Sequence, residues 1–211
     1  MSQQRIFIPG PAGRLQCLYR EGDEHAPAAV ICHPHPQYGG TMRNKVVYWM
    51  ARAFEERGCS VLRFNFRGVE QSEGAWDEGR GEADDAAAAL DWLHARHSDE
   101  PLWLAGFSFG CYAGLQAARR DARVERMFAV APAVNHWDFS FMQGELRPVT
   151  VVSGTADEIV PYVAVAATVK MLSNAHLHTI RGAGHFFPEH KAQLMQALLS
   201  DVNAPDVSQQ H

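Results

Sequence analysis

The sequence predicts an α/β fold: a mainly parallel sheet with helices on both faces and an antiparallel hairpin at its N-terminal edge. The short continuous apolar run Ala28–Cys32 has the composition of a parallel strand buried on both faces, and further strand patterns such as Val149–Ser153 follow it along the chain. Helical patterns separate these runs at the spacing that right-handed crossovers between parallel strands require. Residues Leu102–Gly114, LWLAGFSFGCYAG, pass from a strand pattern to a helical one through a serine flanked by glycines.

A chain of 211 residues can bury a sizeable core in one domain, expected over residues 1–200 with a loose polar tail over 201–211. Its 46% apolar and 20% charged residues are those of a globular rather than a disordered protein. The net charge of −5 comes from interspersed charges of both signs without a basic block, which argues against a nucleic-acid partner. No apolar run nears the roughly 20 residues that span a bilayer, and MSQQRIFIPG lacks the basic and then apolar build of a secretion signal. A cytoplasmic protein without a membrane partner is therefore expected. Cys17, Cys32, Cys59 and Cys111 are scattered with no CxxC pair, and read as reduced, mostly buried thiols rather than a disulfide framework or zinc site.

In chain order, Arg5 to Glu21 alternate apolar and polar around Pro-Gly-Pro-Ala-Gly, which predicts the hairpin, with Ile6, Ile8, Leu15 and Leu18 facing inward. The strand Ala28–Cys32 ends in the loop HPHPQYGG, and a helix from Lys45 to Arg57 is closed by Gly58. A strand from Ser60 to Phe66 and the loop RGVEQSEG precede an alanine-rich helix, Glu82 to His97, whose Ala86, Ala89, Leu90 and Leu93 share a face. Leu102 to Ala105 leads into the serine turn and a helix to about Arg120. Then come a strand from Arg126 to Ala131, a loop over 135–144, and a strand from Val149 to Ser153. A helix from about Val163 to Leu172, a strand from about His176 to Ile180 and a helix from about Glu189 to Leu199 complete the pattern.

In Gly106-Phe107-Ser108-Phe109-Gly110 the glycines two residues to either side let strand and helix press close while the serine adopts a strained backbone. Its hydroxyl then stands above the carboxyl ends of the strands, where such sheets gather chemistry. A serine hydroxyl is a weak nucleophile, and it needs a base within hydrogen-bond reach and a third group to orient that base. Both occur at strand ends: VTVVSG terminates at Thr155-Ala156-Asp157, and the next strand leads through Arg181-Gly182-Ala183-Gly184 to His185. Glu158 and Asp138 are alternative acids, less favoured because Asp157 is shorter than the one and nearer its strand end than the other. Cys111 reads as core rather than a second nucleophile, and His176, His178 and His190 as structural or surface groups. His33 and His35 invite a metal reading, but the neighbouring prolines and the lack of a carboxylate partner weigh against it, so neither metal nor cofactor is expected. Arg63, Asn65 and Arg67 read as loop anchors, with Glu82 or Asp85 as ion-pair partners.

The order serine, acid, histidine is that of the α/β-hydrolases. Together GFSFG, GTADEIVP, GAGHFF, HPHPQYGGTM and RFNFRG resemble a small lidless member of the α/β-hydrolase superfamily, close to bacterial carboxylesterase-like serine hydrolases, over nearly the whole chain to about Leu199. The resemblance implies Ser108 as nucleophile, His185 as general base and then acid, and Asp157 as the group that fixes the imidazole tautomer. It also implies an oxyanion hole made by the Phe109 amide and a donor from the loop after Ala28–Cys32. Pro34 and Pro36 have no N–H. His35 is preferred, because it falls where hydrolases with a His-Gly-X loop place their donor; Gln37 and the Tyr38 hydroxyl are lesser alternatives. Glu70 departs from the family pattern, which commonly has glycine in that loop.

Only a short segment separates Ala131 from Val149, too small for a helical cap, so the site is expected to be shallow and open. Tyr38, Phe107, Trp137 and Phe186 are the candidate substrate pocket, with Phe109, Phe139, Phe141, Met142 and Phe187 nearby. The expected activity is cofactor-independent cleavage of small carboxylic esters with short to medium acyl groups through an acyl-enzyme on Ser108. A thioesterase and an aminopeptidase-like amide hydrolase are chemical neighbours, though no acidic cluster offers to hold a substrate amine. A metal-dependent hydrolase and a non-catalytic ligand-binding protein are the readings of other kinds. The aromatic segment Trp137–Met142 could also serve a homodimer contact.

Overall fold

The computed structural model describes residues 2–200 and Val202, so the expected tail, Val202 apart, lies outside the described residues. The chain runs β1 (Gln4–Gly10), β2 (Gly13–Arg20), β3 (Ala28–Cys32), α1 (Lys45–Glu55), β4 (Ser60–Phe64), α2 (Arg80–His94), β5 (Leu102–Phe107), α3 (Phe109–Arg120), β6 (Val124–Val130), β7 (Val149–Gly154), α4 (Tyr162–Val169), β8 (Ala175–Ile180) and α5 (Lys191–Ser200). The eight strands form one sheet in the order β1-β2-β4-β3-β5-β6-β7-β8. β1 and β2 pair antiparallel with each other, β2 pairs antiparallel with β4, and the remaining pairs are parallel. This is the expected α/β-hydrolase architecture, with the hairpin at one edge.

Every residue of β3, β4, β5 and β7 is buried, as their near-continuous apolar composition requires of strands covered on both faces. Side chains of alternate parity feed two cores. One lies under α2, α3 and α4 and holds Val30, Leu104 and Phe109; the other lies under α1 and α5 and holds Ile31, Ala105 and Phe107. In the hairpin, Ile6 faces Cys17 and Ile8 faces Leu15, so Cys17, and not Leu18, shares the inner face with Leu15. Leu18 is an odd number of residues from Leu15 and points through the opposite face of the sheet, where it is buried all the same. All four cysteines are free and buried.

Two side-chain contacts set element ends that periodicity alone misplaces. β4 stops at Phe64, short of the expected Phe66, because the Phe66 N–H donates to the His33 ring (3.0 Å) instead of a strand. α2 starts earlier than expected because the Glu82 carboxylate reaches back to the amides of Asp77 (3.0 Å) and Gly79 (2.8 Å), occupying donors that a helix start leaves unpaired. Of the two expected partners, Arg67 takes Asp85: its guanidinium forks onto the buried carboxylate at 3.0 and 2.8 Å, tying the loop after β4 to α2. Among the described residues, the segment between β6 and β7 holds one short 3-10 turn, Ser140–Met142, and no cap helix. Phe139 and Met142 pack down into the core there. No helix among the described residues is long and apolar enough to cross a membrane.

Candidate active site

The sharp turn between β5 and α3 places Ser108 at φ 55°, ψ −118°, a backbone conformation that costs of order 1–3 kcal/mol for a side-chain-bearing residue. The Ser108 N–H is held by the Val130 carbonyl (2.9 Å). A Cβ on Gly106 would lie 2.5 Å from the Gly110 carbonyl carbon, and one on Gly110 would lie 2.4 Å from the Cys32 carbonyl oxygen. Glycine at both positions therefore lets β3, β5 and the first turn of α3 touch through main chain. This contact lifts the serine to the sheet's carboxyl edge.

Two further strand ends meet it. The Ser108 hydroxyl lies 3.1 Å from His185 Nε2, and His185 Nδ1 lies 2.8 Å from Asp157 Oδ2. Asp157 follows β7, and its Oδ1 accepts the amides of Ile159 (2.9 Å) and Val160 (2.7 Å). With one carboxylate oxygen saturated by main chain, the other faces the imidazole alone, which assigns the ring proton to Nδ1 and leaves Nε2 as the acceptor for the serine hydroxyl. Ser108 and His185 are buried, at 8% and 2% exposure. The alternative acids are engaged elsewhere: Glu158 accepts the His185 main-chain N–H (3.2 Å), and exposed Asp138 caps Ser140 (2.8 Å to N, 2.7 Å to Oγ).

The loop after β3 forms a 3-10 turn over Pro36–Tyr38. Inside it the Gln37 amide donates to His35 Nδ1 (3.2 Å), the Tyr38 and Gly40 amides to the His35 carbonyl (3.1 and 3.0 Å), and the Gly39 amide to the Pro36 carbonyl (3.3 Å). The Gln37 amide is thus spent within the turn, and the Tyr38 side chain stands 87% exposed. The His33 ring donates from Nδ1 to the Pro34 carbonyl (2.6 Å) and accepts the Phe66 amide at Nε2. Burial pushes its pKa down to about 4, so it is a neutral structural link with neither nitrogen free for a metal. Among the described residues no group of three or more His, Cys, Asp or Glu side chains is arranged to hold an ion.

Rings surround the turn on one side of Ser108. His35 meets Tyr38 and Trp76 at 4.6 Å, Phe109 at 5.0 Å and Trp137 at 6.2 Å between centroids. Tyr112 packs against Trp137 at 4.5 Å with the rings tilted by 31°. Trp76, which belongs to no sequence motif, joins this cluster with Trp137. Phe107 was expected to line the pocket, yet it is fully buried beneath the His185 ring (5.1 Å). The residue before Ser108 still follows strand alternation and points into the core under α1 and α5. Phe186, exposed, meets the His185 ring edge-on at 5.1 Å on the other side of the site. Cys111 donates to the Gly106 carbonyl (3.1 Å), and burial drives its thiol well above the ordinary range, which removes the thiolate a nucleophile needs. Glu70 takes the left-handed conformation (φ 49°) suited to glycine, and its carboxylate contacts Arg43 and Asn65 Nδ2, joining the loops after β3 and β4.

The family model of the alpha/beta hydrolase fold matches residues 30–145. An alpha-beta serine hydrolase homologue from Coxiella burnetii is 38% identical with a TM-score of 0.90, over 96% of this chain and 98% of that one. A serine hydrolase without lid from Xanthomonas campestris is 36% identical with a TM-score of 0.89, over 98% of both chains. An uncharacterised protein of Rickettsia prowazekii is 38% identical over 205 residues, 92% of this chain and 86% of its own length.

Proposed function

We propose that this chain, which belongs to the alpha/beta hydrolase fold family, is a serine hydrolase that cleaves carboxylic esters of short to medium acyl chain through an acyl-enzyme on Ser108. The observation that carries the reading is the continuous chain Ser108 Oγ, His185 Nε2 and Nδ1, Asp157 Oδ2, at 3.1 and 2.8 Å, beneath a serine held in strained backbone. Strain of that kind has a use when the hydroxyl must be presented to a substrate, and a ligand-binding protein on this fold would have no need of it.

In this mechanism the Ser108 hydroxyl attacks the ester carbonyl carbon as its proton passes to His185 Nε2. The imidazolium that forms is stabilised by the Asp157 carboxylate, whose other oxygen is held by two main-chain amides. Negative charge on the former carbonyl oxygen is met by the main-chain N–H groups of Phe109 and His35; one such donor is worth about 10²–10³ in rate. His185 then protonates the leaving alkoxide, giving the alcohol and an acyl-Ser108. Water, giving a proton to the same Nε2, attacks the acyl group, and collapse of the second tetrahedral intermediate returns the serine and releases the acid. The half-buried rings of Trp76 and Trp137 supply apolar surface for the acyl group.

The test is hydrolysis of 4-nitrophenyl esters from two to twelve acyl carbons, run with and without a metal chelator. Turnover that peaks among the shorter acyl chains, is indifferent to chelator and is lost in Ser108→Ala is expected. Turnover retained in S108A, or abolished by chelator, would overturn the reading.

A further inference from the structure

We propose that the His35 imidazole is a positioning residue, an inference that rests on the serine-hydrolase reading above: by accepting the Gln37 amide proton within a cage of rings, it holds the Pro36–Tyr38 turn so that the His35 N–H points at the developing oxyanion. The side chain acts through its own main chain and touches no reacting atom.

The turn is built to leave one donor. The amides of Gln37, Tyr38, Gly39 and Gly40 all close onto acceptors inside the segment, and Pro34 and Pro36 have no N–H to offer. Within residues 34–40 this leaves the His35 amide, on the residue whose side chain and carbonyl together receive three of those four bonds. The main chain at His35 (φ −52°, ψ 120°) is non-helical, as it is at the residue that caps a helical turn.

For Nδ1 to accept the Gln37 proton the ring must be neutral, with its own proton on Nε2. Burial and, behind it, the nearby His136 hold the His35 pKa below its ordinary value, which keeps the acceptor available around neutral pH. The ring's orientation is set from four directions: Tyr38 within the turn, Trp76 from the loop after β4, Phe109 from the start of α3, and Trp137 from the loop after β6. Phe109 also carries the second proposed oxyanion donor. One ring contact thus couples the two donors across the site.

Two near-isosteric variants separate the acceptor from the ring. His35→Asn and His35→Leu both remove the imidazole, but the Asn side-chain oxygen can still accept the amide two residues on, as it does in Asx turns. With the ester that the wild type cleaves best, kcat of H35L is expected to fall about tenfold or more below that of H35N, with KM of the two within about threefold. His35→Phe, which keeps a ring and loses the acceptor, should resemble H35L; it replaces H35L if that variant does not melt like wild type. Equal kcat in H35N and the acceptor-free variant, all folded, would overturn the proposal while leaving the hydrolase reading intact. Wild type that cleaves no ester would remove that reading itself.

Discussion

Ser108, His185 and Asp157 stand on the ends of β5, β8 and β7, whereas His35, Trp76 and Trp137 stand in loops, and the two groups are held by different forces. The first is fixed by close main-chain contact and short hydrogen bonds: Ser108 N–H on Val130, Asp157 on two amides, His185 on Asp157. In the second, His35 is tied by the Gln37 amide within its turn, while Trp76 and Trp137 are held on it by ring contacts of 4.6 and 6.2 Å, which are broad and tolerate displacement. Under the proposed mechanism, a site so divided places its proton transfers rigidly and its apolar surface adaptably. Damage to the first group should therefore be all-or-none, and damage to the second graded.

The sharpest break is Asp157→Asn. The amide cannot hold the imidazole in the required tautomer, so kcat should fall by about 10⁴ with little change in melting temperature or KM. A loss under tenfold, measured with 4-nitrophenyl esters, would mean that the carboxylate is not needed to orient His185.

His33 lies where the two groups join, and it makes stability itself depend on pH. Its folded-state pKa of about 4 lies below the ordinary 6.5, so the unfolded chain takes up the proton first. The contribution is present above pH 6.5 and is lost as pH falls from 6.5 towards 4, up to about 3 kcal/mol in all. Urea midpoints measured across that range should fall in the wild type and fall less steeply in His33→Gln, which starts lower. Parallel slopes would count against a buried neutral His33.

Within the ring cluster, Trp76→Ala should cost only about three- to tenfold in kcat/KM, felt more by longer acyl chains than by acetate. A uniform loss in kcat for every chain length would place Trp76 with the rigid group instead. The smallest effect is expected at Glu70. Glycine there relieves about 1–2 kcal/mol of left-handed strain but gives up the contacts to Arg43 and Asn65, so Glu70→Gly should shift stability by no more than about 1 kcal/mol.

The same division governs what could be read before the fold was known. The strand-turn-helix at Ser108 and the strand ends before Asp157 and His185 are local signals, written in apolar runs and glycine spacing over a few residues. Trp76 gives no such signal, because its place depends on Arg67 reaching Asp85 across the loop and α2. Phe107 and Leu18 were misplaced for a simpler reason. Both obey the two-residue alternation of a strand, and adjacency to a motif or shared apolarity with a neighbour does not override which face a residue takes. Side-chain length and position favour Asp157 over Glu158 and Asp138 in the sequence, and the hydrogen bonds show where the other two are engaged instead.

The central claim, that Ser108 is an activated nucleophile, is tested most directly by reaction with a fluorophosphonate probe read as intact mass, which requires no knowledge of the substrate. One adduct per wild-type chain and none on Ser108→Ala, with both proteins folded, is the expected result. Folded wild type that takes up no probe, or an adduct that persists in S108A, would contradict it.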